Sequence, residues 1–398
     1  MNHLERPHWG TTLTCYSRLT RGFGICASQQ RRPGLNFYYR SAGSIPDRMF
    51  FSAKAKGFFF DANVNAVLLA RTSSPETPFV VEEILECAAG DPAALAEAVT
   101  TLKAAKKSSG YIHAACAVTS PRRVLRRLAI EPKRLKEPAY LNDLAVQQLR
   151  IEPAQYALVA LSPSRGSDYD MAKASEKDMV ICGLPNAERS VLQEGVLAVG
   201  IYPETMELAS VASVGAMIDY LKFAGIKAPV LMLEIEAQTC HAYIVSAGGL
   251  EATRPISQGL DSMIPFVQKE LGLKDEASAR KLFMANAFDF TGMGSLLLKK
   301  VIKELQSSIG FYEVQTGQSI GQVACTLLPP KLAWLEAAIA ADLGVAVLKP
   351  DVTAWLAARS ITLSDNLVSA SLDSRRMSLW GLMIRHNAVP ATASEKTK

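Results

Sequence analysis

No CxxC pair occurs in this sequence, and no two histidines stand at the i, i+4 spacing of a helical metal site. The seven cysteines, at 15, 26, 87, 116, 182, 240 and 325, are odd in number and widely scattered, most inside apolar runs such as Ala114-Ala115-Cys116-Ala117-Val118. That usage speaks against a disulfide framework and for buried thiols in a reducing compartment. With only five scattered histidines, a zinc site is disfavoured too. Also lacking is any stretch of the ~18–20 uninterrupted apolar residues that span a bilayer. The best segment, around 228–250, is broken by Glu234, Glu236, Gln238 and His241, so no transmembrane helix is expected. Finally, the body of the chain lacks a charge bias. Residues 1–48 hold seven Arg, no Lys and only Glu5 and Asp47 as acids, which accounts for the whole net charge of +5. The remainder carries 36 basic and 36 acidic residues out of totals of 43 and 38. A nucleic-acid partner is therefore not expected.

What is present is an ordinary globular composition, 49% hydrophobic and 20% charged, over 398 residues. That length suits two domains or two lobes. The Arg-rich, acid-poor residues 1–48 read either as a targeting arm or as a disordered, mis-assigned extension upstream of a start at Met49. The second reading is preferred, and the segment is set aside from the fold. Residues 387–398 read as a disordered tail without an apolar face.

Periodicity and punctuation divide the body into two similar cycles. Gly57-Phe58-Phe59-Phe60-Asp61 and Val64–Ala70 predict a hairpin of buried strands around Asp61-Ala62-Asn63, with a third strand at Phe79–Cys87. Asp91-Pro92 gives an N-cap with proline in the first turn, opening a helix over Ala93–Lys107. Tyr111–Val118 reads as a strand. The stretch 121–150, with Arg122, Arg123, Arg126, Arg127, Lys133, Arg134 and Lys136, reads as helical, its charges forming a solvated face. Strands at Tyr156–Leu161 and Asp178–Gly183 and a helix at Ala187–Val199 follow. A second cycle opens with Val230–Glu236, His241–Ser246 and Glu251–Ile256 as strands. Helices at Leu260–Leu271, Glu276–Phe283 (N-capped by Asp275), Leu296–Phe311 and Lys331–Leu343 come next, with strands at Gln322–Leu328 and Val345–Leu348. The duplication predicts an α/β protein whose halves, about 49–228 and 229–386, face each other across a cleft.

The run Val230-Leu231-Met232-Leu233-Glu234-Ile235-Glu236-Ala237-Gln238-Thr239, followed by Gly249, Arg254 and Gly259, resembles the second phosphate loop of the actin-like ATPases. Within these the chain is most similar to the PilM family of type IV pilus assembly. Leu271–Leu282, Val180-Ile181-Cys182-Gly183, Gly200-Ile201-Tyr202-Pro203, Glu207-Leu208-Ala209-Ser210 and Leu379-Trp380-Gly381-Leu382-Met383-Ile384-Arg385 follow that family's order, so the likeness spans roughly 57–386. The resemblance implies an actin-like (ribonuclease H-like), duplicated two-lobed fold with a small subdomain inserted at about 111–185. It also implies a cytoplasmic protein peripheral to the inner membrane, which binds the short cytoplasmic tail of a PilN-like membrane protein. Self-association is a further partner of the same resemblance.

The family's nucleotide cleft makes physical demands that these residues do not meet. A hairpin that wraps phosphate needs glycine, because its backbone N–H groups must approach the oxygens closely. Here Ala62 replaces the glycine of the first hairpin and Glu236 that of the second. A carboxylate ~4 Å from a phosphate charge costs on the order of 4 kcal/mol in a surface-like dielectric. Where the family has paired glycines for adenosine, the chain reads Leu327-Leu328-Pro329-Pro330-Lys331. Asp61, Glu234, Glu236, Gln238 and Gly259 are thus the residues of a degenerate nucleotide cleft, with Arg254 as a further cleft candidate. The expectation is a non-catalytic scaffold, a pseudo-ATPase without cofactor. The alternative is an actin-like ATPase whose bound Mg-ATP controls assembly.

Overall fold

The computed structural model describes residues 56–104, 110–137, 139–171, 176–367 and 374–386. The expectations for residues 1–48 and 387–398 lie outside these.

Each half is built on one five-strand pattern. In the first, strands β1 (Gly57–Ala62), β2 (Ala66–Thr72) and β3 (Phe79–Ala88) form an antiparallel meander. Strand β4 (Ile112–Val118) then pairs parallel to β1. Strands β5 (Val124–Ala129), β6 (Tyr156–Leu161) and β7 (Asp178–Pro185) form a separate antiparallel sheet before β8 (Ile201–Leu208) closes the first one, parallel to β4. In the second half β9 (Val230–Ile235), β10 (Cys240–Ser246) and β11 (Gly249–Ile256) repeat the meander. Strand β12 (Gln322–Cys325) then pairs parallel to β9, and β13 (Ala346–Val347) parallel to β12. The strand order third–second–first–fourth–fifth is therefore the same twice, with β14 (Ile361–Leu363) added at the β3 edge of the first sheet.

The helices cover the sheet faces: α1 (Pro92–Ala104), α2 (Tyr140–Leu144), α3 (Asn186–Ala198), α4 (Ala209–Ala224), α5 (Ile264–Glu270), α6 (Glu276–Ala285), α7 (Gly294–Thr316), α8 (Trp334–Leu343), α9 (Val352–Ala358) and α10 (Met377–His386). Both expected N-caps form. Asp91 Oδ1 accepts from the N–H groups of Ala93 and Ala94 at 3.1 and 2.9 Å, and Asp275 Oδ1 accepts from Ser278 N–H at 2.7 Å. Such caps satisfy donors that a helix start otherwise leaves open.

Strand alternation explains why the β1 and β9 runs are apolar throughout. Phe58 and Phe60 enter a cluster with Ala98, Val99 and Leu102 of α1, while Phe59 points the other way. Likewise Leu231, Leu233 and Ile235 face the core of the second half, and Val230 and Met232 face the first. A strand covered on both faces reads as continuous hydrophobicity. The cluster holding Phe59, Met232, Tyr243, Trp355 and Trp380 runs through both halves, and α4 and α10 are its spine. These helices cross so closely at Gly381 that an added Cβ would lie 2.1 Å from the Ala212 carbonyl oxygen, which only glycine tolerates there.

The sequence-based reading needs two corrections. The strand at 112–118 belongs to the six-stranded sheet, so the inserted subdomain begins after Val118 rather than at about 111. Residues 124–129 are a strand, not part of a helix, and Arg123 is 5% exposed rather than solvated. Prolines at 121 and 132 leave that stretch too short for a stable helix. A smaller difference is that the expected helix at Leu260–Leu271 starts as a 3-10 turn over Leu260–Met263.

Candidate functional site

The two hairpins present one acid each. Asp61 is the next-to-last residue of β1 and Glu234 the next-to-last of β9, so the duplication places them equivalently. Both are buried, at 0% and 1% exposure, and their surroundings differ.

Glu234 is surrounded by donors. Its Oε2 accepts from Arg123 Nη2 at 2.8 Å, from Ser210 Oγ at 2.6 Å and from the Tyr243 hydroxyl at 3.0 Å. Arg123 comes from the connection between β4 and β5, in the first half. Its Nε donates to Ser210 Oγ at 2.7 Å and its Nη1 to the Ser120 carbonyl at 3.0 Å. Its Nη1 also ion-pairs with Glu236 Oε1 at 2.5 Å. Burial opposes the charge of Arg123, yet the carboxylates of Glu234 and Glu236 raise its guanidinium above the usual arginine range. Burial pushes Glu236 upward, and Arg123 partly offsets that.

Among the described residues Asp61 has no such cation. Ser378 of α10 donates to its Oδ2, and within the same residues Oδ1 has no hydrogen-bond partner. Burial raises its carboxyl to about 7 against the pull of the Ser378 bond, with the charge of Glu234 adding to the rise. His241 of β10 is buried, and among the described residues its Nε2 has no hydrogen-bond partner. Burial, with Arg123 and Arg126 nearby, lowers its imidazole to about 3.

The hairpin turns use their own backbone donors. Asn63 Oδ1 accepts from the N–H groups of Asn65 and Ala66 at 2.9 and 3.0 Å, and Asn63 N–H bonds the Ala66 carbonyl. In the second turn Glu236 N–H bonds the Thr239 carbonyl at 2.9 Å. The carbonyls of Glu236 and Ala237 accept from Leu260 and Asp261. Gly259 permits that contact, since a Cβ there would sit 2.3 Å from the Glu236 oxygen. The first hairpin also reaches across to the Pro329-Pro330 turn, where Asn65 Nδ2 donates to the Leu327 carbonyl at 2.8 Å. Between them, beside Arg375 and Arg376, lies a cavity of about 20 Å³. That is room for one water, against ~300–1,000 Å³ for small-molecule sites.

The inserted sheet clasps the second half as well. Arg127 Nη1 donates to the carbonyls of Leu250 and Glu251 at 2.8 and 3.0 Å, and Leu250 N–H bonds the Pro163 carbonyl at 3.1 Å.

Of the sequence-nominated residues, Asp61, Glu234 and Glu236 come together. Gly259 supports the second turn, and Gln238 is exposed at its tip. Arg254 lies apart, ion-paired with Glu304 of α7 at 2.9 Å. Sequence reading missed Arg123, Ser210, Tyr243 and Ser378. Only Arg123 had a usable signal, as the second of two arginines that follow Ser120-Pro121 just beyond a buried strand. A Mg-nucleotide does not fit the residues as they stand. The N–H groups of Asn63, Asn65, Ala66 and Glu236 are used within the turns, a guanidinium is bonded to Glu234 and paired with Glu236, and a polyphosphate would meet two carboxylates with one cation between them.

Two copies of one five-strand pattern around a shared cleft define the actin-like, ribonuclease H-like two-lobed fold. Among solved structures, the chain is similar to that of a PilM-PilN type IV pilus biogenesis complex, at 15% identity over 85% of this chain and 100% of that one, with a TM-score of 0.60. It aligns more loosely with the ethanolamine utilization protein EutJ from Carboxydothermus hydrogenoformans, at 12% identity over 83% and 91% of the two chains and a TM-score of 0.40. A Bacteroides thetaiotaomicron protein with an actin-like ATPase fold aligns at 9% identity over 82% and 96%, also at 0.40. At these identities the likeness is one of fold. No protein-family model and no curated sequence matches the chain.

Proposed function

We propose that the protein is a non-catalytic, PilM-like scaffold of a type IV pilus or related secretion platform. It works on the cytoplasmic side of the inner membrane, holding the cytoplasmic tail of a PilN-like membrane protein. The observation that carries the non-catalytic part is Arg123. This buried cation from the first lobe is bonded to Glu234 and paired with Glu236 in the second, across the cleft where an actin-like ATPase would hold its nucleotide. The lobes are joined by the protein's own charge, so nucleotide exchange has nothing to open or close.

The partner assignment is supported by the fold likeness to PilM in its complex with PilN. The inserted sheet supplies a fitting surface. Its order is β5-β7-β6, which leaves β6 as an edge, occupied near residues 160–162 by the segment carrying Ser167 and Tyr169. An extended peptide can add to such an edge through main-chain hydrogen bonds. Among the described residues no helix is long and apolar enough to cross a membrane, so attachment through a partner's tail suits the chain.

The test is calorimetric titration of the full chain with synthetic N-terminal tails of candidate PilN-like proteins. Micromolar, one-to-one binding unaffected by Mg-ATP is expected. Binding that appears or disappears with Mg-ATP would favour the nucleotide-controlled alternative, and failure of every tail would remove the partner assignment.

A further inference from the structure

Helix α7, 23 residues long, is the longest helix among the described residues. Leu297, Leu298, Val301, Ile302, Leu305 and Tyr312 face inward and bind it to the second lobe. Its outer face is unusual for a solvated helix. Leu296, Phe311 and Val314 are 38%, 66% and 88% exposed. Lys299, Lys300 and Lys303 are exposed between them. Steps of three and four residues link Leu296 to the lysines and Phe311 to Val314, and the eight residues from Lys303 to Phe311 return to the same side, so all six share one face of the helix. The two acids of α7 are both engaged: Glu304 pairs with Arg254 and Glu313 accepts from Ile320 N–H. None of the three lysines is ion-paired among the described residues, and Lys300 lies over the Phe266 ring.

We propose that this face of α7 docks directly on an anionic lipid surface. Three unpaired lysines without an available acid on the same stripe complement phosphate headgroups. Phe311 and Val314, at one end of the stripe, are placed to enter the interfacial layer. The body of the chain has no net charge, so this is a local patch and not a general basic character. An acidic protein would use the lysines but would not require a bulky aromatic and a valine almost fully in water, so the lipid surface is the occupant the stripe favours. The inference stands on α7 alone. Vesicles contain no membrane protein, so its failure would leave the tail-binding proposal untouched.

Sedimentation of the full chain with phosphatidylglycerol-containing vesicles, against pure phosphatidylcholine, tests it. Wild type is expected to bind the anionic vesicles, to release them as salt rises, and to show slower hydrogen exchange in α7 when bound. Lys299→Gln/Lys300→Gln/Lys303→Gln should weaken binding roughly a hundredfold. Phe311→Ala/Val314→Ala should weaken it roughly tenfold. All five side chains are exposed, so the unfolding midpoint should not move. No binding to anionic vesicles, a lysine variant that binds as well as wild type, or unchanged exchange in α7 would each overturn the proposal. So would capture of α7 by an acidic protein without any affinity for vesicles.

Discussion

The two hairpins carry acids at equivalent strand positions, yet one acid is compensated and the other is not. Glu234 receives a guanidinium and two hydroxyls, whereas Asp61 receives one serine hydroxyl and keeps an unpartnered oxygen. In a fold whose halves hold one ligand between them, both acids would serve that ligand. Here the cation comes from the chain itself and serves only the second hairpin. The first is left with a buried carboxyl that must take up a proton or remain costly.

Removing the cation should have the largest effect. Arg123→Ala would leave Glu234 and Glu236 buried without their cation, at a cost of about 3–5 kcal/mol in chemical denaturation. Adding Glu234→Gln and Glu236→Gln to that variant should recover much of the loss. No recovery would mean that the arginine acts by packing, not by charge.

The uncompensated acid is tested by pH. The Asp61 carboxyl is raised from 3.8 to about 7 in the folded protein. The folded state therefore holds more protons than the unfolded one between about pH 4 and 7. Its contribution to stability falls as pH rises through that window. Asp61→Asn should match wild type near pH 4 and exceed it by on the order of 4 kcal/mol at pH 8. A variant that tracks wild type at every pH would show that Asp61 is compensated after all.

The support of the second turn should be weaker but measurable. Gly259→Ala puts a Cβ against the Glu236 and Ala237 carbonyls, and a loss of about 1–3 kcal/mol is expected. At the other extreme, Arg254→Ala removes only an exposed pair with Glu304 and should change stability by less than about 1 kcal/mol.

The frame was legible because its signals are local. Buried strands appear as apolar runs, Asp91 and Asp275 announce helix starts, and the duplication is visible as a repeated order of elements. The acids Asp61, Glu234 and Glu236 could be nominated because they stand where glycine and carboxylate matter. Their partners were not legible, since Arg123, Ser210 and Ser378 lie 111, 24 and 317 residues from the acids they bond, and only the closing of the lobes brings them together. The same remoteness hid the strand character of 124–129, whose arginines look solvated until β7 and β11 are placed beside them. Asn63 closing the first turn with its side chain is a substitute for glycine that composition does not reveal.

The most direct test of the central claim, that Arg123 and the closed turns leave no place for nucleotide, is calorimetric titration of Mg-ATP into the full chain. The account predicts no heat of binding up to millimolar nucleotide. Micromolar binding would contradict it, because the phosphates would then have to displace Arg123 from Glu234 and Glu236.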